Sequence, residues 1–241
     1  MQENLTYALV HSPLVGPCTW ELVYQTLTRK GLKAIIPTLL DDPNSTLPYW
    51  QQHADSVARD LAHISNNERI VLVAHSGAGP LLPAIRQGLP QSICAYLFVD
   101  AGIPRDGLSR INLMKLEDKE WAEDFHKSLL KGELFPTWTE NDLQEIIPDK
   151  ETRRKLVAEI HPRSLSFFTE PIPVYDGWPD APCVYIKFSD SYTWDAMQAK
   201  KSGWPVHKMN ARHFHMLVEP LAVADLIMES VQNFLDASSR K

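Results

Sequence analysis

The amino-acid sequence predicts an α/β fold: a mostly parallel central sheet flanked by helices, with a helical insertion before the last strands. Three observations lead to this prediction. Apolar runs alternate with segments of helical spacing in the N-terminal part of the chain, which is typical of parallel strands joined by helical crossovers. From about Gly102 to Pro182 amphipathic helical patterns replace the strands. The strand pattern then returns at CVYIKFSD (183–190).

The first elements follow from local patterns. LTYALVH (5–11) reads as a buried strand, the loop SPLVGP follows it, and a helix begins near Trp20. KAIIPTL (33–39) is a second short apolar run, and residues 50–65 have helical spacing. RIVLVAH (69–75) is continuously apolar, as expected for a strand covered on both faces.

The later elements complete a sheet that the insertion interrupts. Residues 77–88 predict a helix and AYLFVDA (95–101) another buried strand. PVHKM (205–209) is one more strand, and residues 221–235 form a closing amphipathic helix. We therefore assign residues 1–104 and 182–241 to the α/β core and 105–181 to a helical cap or lid over the strand ends, where open α/β sheets bind ligands.

The composition narrows the functional class. The chain has 241 residues, 44% hydrophobic and 22% charged, which fits one large globular domain. A net charge of −6 argues against a nucleic-acid or anionic-membrane partner. The N-terminal stretch MQENLTYALV has neither a basic region nor a long apolar region, and no apolar run approaches 18 residues, so we expect neither a signal peptide nor a membrane span. The three cysteines are far apart without C-x-x-C spacing, so we expect reduced thiols in a cytoplasmic protein and no metal site.

The stretch VLVAHSGAG (71–79) carries the first chemical signal. A strand runs into Ser76, with the small residues Ala74 and Ala78 two positions to either side. A nucleophile on a strained strand-to-helix turn needs small neighbours at those positions, although the usual pattern there is G-x-S-x-G. The alternative is that Ser76 is an ordinary helix N-cap.

A second signal lies near the C-terminus, in MNARHFHMLVEP (209–220). His213 falls in a loop after a predicted strand and before the last helix, downstream of Ser76 as a general base would be in the chain order Ser, acid, His. His215 is the competitor for the same role.

Taken together, these segments resemble the α/β-hydrolase superfamily over nearly the whole chain. Within it, the chain looks most like the compact branch of small esterases and hydroxynitrile lyases, whose first strand ends in H-G-x-x-x-G-x-x-x-W. The corresponding residues here are His11, Ser12, Gly16 and Trp20. The resemblance implies that Ser76 is the nucleophile and favours His213 over His215 as the base.

The acid of the implied triad has two candidates. The family usually places it after the penultimate strand, where this chain has FSDSYTWD, and Asp190 is nearest to that place. Asp100, at the end of the preceding strand, is the second candidate, and we favour Asp190 slightly over it. Asp195 is too late in the segment, and Glu170 is interpreted as structural or as approaching the pocket from the cap.

The oxyanion hole departs from the family pattern. One N–H donor is expected from Gly77, just after the nucleophile. The resemblance assigns the second donor to Pro13, which has no N–H. Either the Ser12 hydroxyl substitutes, or the loop shifts to supply a backbone N–H from Ser12 or Leu14.

The leading hypothesis is therefore a cofactor-independent serine hydrolase acting on an ester, thioester or related carbonyl of a small hydrophobic substrate. The alternative is a lyase or cyclase that uses the same Ser and His as an acid/base pair, and the third possibility is an inactive ligand-binding protein. The aromatic and apolar residues of the predicted cap favour a lipophilic ligand, and the chain is expected to be a monomer or a homodimer.

Overall fold

The computed structural model describes residues 4–42 and 44–238, with side chains to residue 235. Its sheet is six-stranded and parallel throughout, with the strand order β2-β1-β3-β4-β5-β6, which confirms the predicted fold class. The strands are β1 Leu5–Val10, β2 Lys33–Ile35, β3 Arg69–Ser76, β4 Ile93–Ala101, β5 Cys183–Lys187 and β6 Val206–Lys208.

Helices connect these strands. The α-helices are α1 Cys18–Arg29, α2 Tyr49–Leu61, α3 Leu82–Gln87, α4 Arg110–Glu117, α5 Lys119–Leu130, α6 Lys150–Ala158, α7 Leu165–Thr169, α8 Thr193–Lys201 and α9 Pro220–Ser238. Short 3₁₀ helices lie at Gly79–Leu81, Asp190–Tyr192 and His215–Leu217. Within the described residues, no helix combines the length and the apolar character needed to cross a membrane.

The hydrophobic core lies on both faces of the sheet. The residues of β1 are buried throughout, and those of β3 are buried after its first position, as expected for strands covered by helices on either side. Helices α1 and α9 pack their apolar residues on one face, where Trp20 is fully buried. Helices α2, α3 and α8 cover the other face. This two-sided burial explains the long apolar runs of the sequence.

The strand order defines where the site forms. After β1 the chain crosses to one side for β2 and to the other for β3, so the carboxyl ends of β1 and β3 flank a topological switch point. The loop after β1 carries Ser12 and Pro13, and β3 ends at Ser76. The sheet therefore brings the loop that carries Ser12 and Pro13 to the same edge as Ser76.

The residues between β4 and β5 form α4 to α7, with a small apolar core of their own centred on Phe167 and Phe168. Leu14, from the loop after β1, packs against this cluster. Nearby, the backbone N–H of His161 donates to the carbonyl oxygen of Leu14 at 2.9 Å. The inserted helices are thus in direct contact with the loop that follows the first strand.

Several elements differ from the sequence prediction. The helix expected at 77–88 starts as a 3₁₀ turn and becomes α-helical only at Leu82, because Pro80 lacks the N–H that an earlier α-helical turn would need. The long helical pattern after residue 110 divides into α4 and α5 at Asp118, whose side chain caps α5 by accepting from Trp121 N–H at 3.0 Å. Helix α8 was not predicted.

Candidate active site

Ser76 occupies a sharp turn at the carboxyl end of β3. Its φ is +56°, in the left-handed region that non-glycine residues rarely adopt, and it is 9% exposed. The turn is tightly packed, because a Cβ at Gly79 would collide with the carbonyl oxygen of Gly102 after β4. The surroundings thus hold a strained serine at the sheet edge, which is the geometry expected of a nucleophile turn.

Asp100 is the second strained residue, with a φ of +43° near the end of β4. It is fully buried, and its carboxylate accepts four hydrogen bonds: from the backbone N–H groups of Phe188 (2.8 Å) and Ser189 (3.0 Å), from the Ser189 hydroxyl (2.6 Å) and from His213 (2.8 Å). The Tyr185 hydroxyl bridges the N–H and carbonyl groups of Ala101, which holds the adjoining backbone. These contacts satisfy a carboxylate that would otherwise be costly to bury.

His213 follows β6 and directs Nδ1 at Asp100 Oδ2, 2.8 Å away. This contact fixes the ring orientation and leaves Nε2 to exchange a proton. The backbone of His213 is held by His75, whose Nε2 lies 3.1 Å from the His213 carbonyl oxygen. Burial lowers the pKa of His75 well below its usual value, so His75 is neutral and donates through Nε2.

Tyr192 connects Ser76 with His213. Its hydroxyl lies 3.0 Å from Ser76 Oγ, and its ring stacks on the His213 ring with a centroid distance of 5.1 Å and an interplanar angle of 9°. Among the described residues, the hydrogen bond of the Ser76 hydroxyl goes to Tyr192 and not to His213. Tyr192 is not among the candidates predicted from the sequence, where it stands two residues after Asp190 in FSDSYTWD.

Asp190 does not approach His213. Its side chain is fully exposed and pairs with Lys187 Nζ at 3.1 Å, on the 3₁₀ helix after β5. The slight preference for Asp190 over Asp100 is therefore reversed by the geometry. The neighbouring Ser189 donates to Asp100 through both its N–H and its hydroxyl, so this segment orients the carboxylate of β4 instead of supplying its own.

Three further candidates have other roles. Glu170 accepts the N–H groups of Tyr49 and Trp50 at 2.8 and 3.1 Å, so it caps the first turn of α2. The ring of His215 packs edge-on against Phe188 at a centroid distance of 5.7 Å, whereas the histidine bonded to the Asp100 carboxylate is His213. Asp195, which lies in α8, accepts a hydrogen bond from the Ile103 N–H at 2.9 Å.

The loop after β1 faces Gly77, the residue that follows Ser76. A Cβ at Gly77 would lie 3.2 Å from Ser12 Oγ and 3.6 Å from Pro13 Cδ. Ser12 Oγ accepts the N–H of Leu14 at 3.3 Å, and the Arg163 guanidinium donates to the carbonyl oxygen of Pro13 at 3.2 and 3.3 Å. The predicted oxyanion residues Ser12, Pro13 and Gly77 are therefore adjacent, and the part of Pro13 nearest Gly77 is its ring, which carries no N–H.

Asp195 gives the site region a pH-dependent stability. Burial raises the pKa of this carboxyl to about 7, outweighing the Ile103 hydrogen bond, which lowers it. Between about pH 4 and pH 7 the folded protein holds a proton that the unfolded chain releases, so stability falls as pH rises through this window. Asp195→Asn should remove that loss and raise stability above pH 7 by up to about 4 kcal/mol.

Urea unfolding of the wild type and Asp195→Asn at pH 5 and pH 8 measures this difference. Asp190→Asn is the control, because its carboxylate is fully exposed. Parallel pH profiles for the wild type and Asp195→Asn would contradict the assignment of a proton to Asp195.

Within the described residues, no cluster of three or more His, Cys, Asp or Glu side chains is arranged to hold a metal ion.

Comparisons with known proteins agree with this architecture. A family model described as "Alpha/beta hydrolase family" matches residues 9–226. Methylesterase 17 of Arabidopsis thaliana is 25% identical over 165 residues, which cover 65% of this chain and 58% of that protein. The chain thus spans little more than half the length of this curated relative.

Solved structures resemble the chain along almost all of its length. An extracellular alpha/beta-hydrolase from a Paenibacillus species, described as sharing structural and functional homology with tobacco salicylic acid binding protein 2, has a TM-score of 0.75 at 18% identity, covering 94% of this chain and 98% of its own. Tomato methylketone synthase I in complex with 2-tridecanone has a TM-score of 0.73 at 15% identity, with 96% and 99% covered. At these identities the likeness establishes the fold alone.

Proposed function

The chain belongs to the alpha/beta hydrolase family, and from this premise we propose that it is a serine esterase with Ser76 as nucleophile, His213 as general base and Asp100 as the acid of the triad. The observation that carries the proposal is that two residues with strained backbones, Ser76 and Asp100, both lie close to His213. Ser76 and Asp100 both have positive φ values at neighbouring strand ends. His213 bonds to Asp100 and stacks on the tyrosine that contacts Ser76.

The chemistry follows from these positions. His213 Nε2 takes the proton of the Ser76 hydroxyl as Oγ attacks the ester carbonyl carbon. Asp100 stabilises the imidazolium that forms, and the Gly77 N–H donates to the developing oxyanion. His213 then protonates the departing alkoxide. Water attacks the acyl-enzyme in the second half-reaction, with His213 again as base, and releases the carboxylic acid.

The surroundings support a small hydrophobic ester as substrate. We propose residues 105–181 as a lid, because Leu14 of the site loop packs into the apolar cluster around Phe167 and Phe168. Trp138 of the same segment lies 5.8 Å, ring to ring, from Phe214, the residue after His213. The likeness to Methylesterase 17 favours a carboxylic ester over a thioester.

The proposed location is cytoplasmic. The thiols of Cys18, Cys94 and Cys183 are buried and form no disulfide, which fits a reducing compartment.

Labelling with a small fluorophosphonate tests the proposal. Intact mass should show a single adduct on the wild type and none on Ser76→Ala, because only an activated serine reacts. Ser202→Ala, at an exposed turn after α8, is the control and should label like the wild type. An equal adduct on Ser76→Ala, or no adduct on a folded wild type, would contradict the esterase.

A lyase or cyclase remains the second candidate because Pro13 removes a backbone donor on which acyl transfer usually depends. In that case Ser76 and His213 would move protons without forming an acyl-enzyme. A folded wild type that resists the fluorophosphonate would favour this reading over ester hydrolysis.

A further inference from the structure

Tyr192 contacts both Ser76 and His213, although it is not part of the proposed triad. It ends the 3₁₀ helix Asp190–Tyr192, just beyond β5. Its hydroxyl bonds to Ser76 Oγ at 3.0 Å, and its ring lies parallel to that of His213. Ser76 is the hydrogen-bond partner of this hydroxyl in the described part of the chain. The Tyr192 hydroxyl is therefore placed to act on whatever forms at Ser76 Oγ during the proposed reaction.

The proposed oxyanion hole lacks one of its two usual backbone donors. Gly77 offers one N–H, and the segment facing it presents Pro13 Cδ, which cannot donate. Removing one oxyanion donor typically costs on the order of 10²–10³ in kcat. Ser12 Oγ is near Gly77, but its contact in the structure is as an acceptor from the Leu14 N–H, and it makes no hydrogen bond to Ser76 Oγ. The proposed ester hydrolysis would therefore need a second donor from another side chain.

We propose that Tyr192 is a catalytic residue whose hydroxyl is the second donor of the oxyanion hole. The inference rests on the proposed function, since it requires Ser76 to attack a carbonyl. The oxyanion and Oγ are bonded to the same carbon in the tetrahedral intermediate and are therefore immediate neighbours. A hydroxyl 3.0 Å from Oγ in the free enzyme is within reach of that oxyanion after a small movement.

The proton balance leaves Tyr192 neutral throughout. As the Oγ–C bond forms, the carbonyl π electrons move onto oxygen, and the Ser76 proton passes to His213. The Tyr192 O–H donates a hydrogen bond to this oxyanion and keeps its own proton. When the carbonyl re-forms, the C–O bond to the alcohol breaks and His213 protonates the departing oxygen. Burial raises the pKa of Tyr192, so the phenol is protonated and competent to donate.

The ring of Tyr192 has a separate effect that the test must hold constant. Its face covers the His213 ring at 5.1 Å and an interplanar angle of 9°, so it also contacts the imidazolium. Phenylalanine retains that face and removes only the hydroxyl. Tyr192→Phe therefore isolates the proposed donor from the stacking.

Tyr192→Phe is expected to lower kcat for p-nitrophenyl acetate by about 10²-fold while KM is nearly unchanged, because the lost hydrogen bond is made mainly in the transition state. The affinity for a trifluoromethyl ketone, which forms a tetrahedral adduct with an active serine, should fall in parallel. Tyr24→Phe, on the surface of α1, is the matched control and should behave as the wild type.

A double substitution checks the assignment. Pro13→Ala adds a backbone N–H in the segment that faces Gly77. It should therefore raise kcat more in the Tyr192→Phe background than in the wild type. An equal effect in both backgrounds would overturn the proposal, as would a wild-type or higher kcat for Tyr192→Phe.

Failure of this inference is distinguishable from failure of the proposed function. If Ser76→Ala is inactive while Tyr192→Phe retains the wild-type kcat, the esterase stands and the role of Tyr192 is disproved. If Ser76→Ala retains turnover, the esterase itself is disproved, and with it the oxyanion role.

Discussion

Replacing His213 with alanine should lower kcat/KM for an aryl ester by on the order of 10⁴- to 10⁶-fold, the loss expected when the base of a serine triad is removed. The reason is geometric. His213 is the histidine whose Nδ1 is bonded to the buried Asp100, at 2.8 Å, and whose ring stacks on the tyrosine at Ser76. Without it, Ser76 loses the base that takes its proton in the proposed mechanism.

His215→Ala is the matched control, since the sequence offered both histidines for the same role. The His215 ring packs against Phe188 at 5.7 Å, and burial lowers its pKa, which fits a neutral packing residue. We expect its kcat/KM to stay near that of the wild type, with a small loss of thermal stability from the lost contact. Steady-state kinetics of both variants, with circular dichroism to verify folding, measures the difference. A large loss in His215→Ala with an active His213→Ala would reverse the assignment.

The sheet could be predicted from the sequence because parallel strands buried on both faces consist of uninterrupted apolar runs. RIVLVAH became β3, and AYLFVDA lies within β4. Because the strands are parallel, their carboxyl ends lie at one edge of the sheet, and the order of Ser76 before His213 then connected the two residues from the sequence alone. Helix α8 was missed because its hydrophobic pattern is weak, with few apolar residues at helical spacing.

The choice between two acids depended on register, which the sequence does not encode locally. Both aspartates lie at the carboxyl ends of strands that are neighbours in the sheet. The pairing of Val99 with Ile186 brings the N–H groups of residues 188 and 189 onto the Asp100 carboxylate. The same turn leaves Asp190 pointing into solvent. No pattern of residue types distinguishes these outcomes.

Tyr192 could not be predicted from the sequence for a different reason. A tyrosine in a short 3₁₀ turn has no periodicity and no recognised motif, so nothing in the sequence singles it out. Its significance comes from two contacts with residues distant along the chain, Ser76 and His213.

Asp100→Asn should lower kcat by about 10⁴-fold, the effect of removing the orienting carboxylate from a serine triad. In the proposed triad, the Asp100 carboxylate, 2.8 Å from Nδ1 of His213, holds the proton on that nitrogen and leaves Nε2 free to act as the base. An amide can present its NH₂ group to Nδ1 instead, which favours the tautomer with the proton on Nε2. That tautomer cannot accept the Ser76 proton.

Asp190→Asn provides the comparison, because it makes the same chemical change in the residue that the sequence favoured. Its carboxylate is exposed and pairs with Lys187, so we expect kcat to be unchanged. Asp100→Asn also weakens four hydrogen bonds to a buried group, so its fold must be verified by urea unfolding before kinetics are compared. A folded Asp100→Asn with wild-type kcat, beside an inactive Asp190→Asn, would transfer the acid to Asp190 and require the segment after β5 to rearrange when substrate binds.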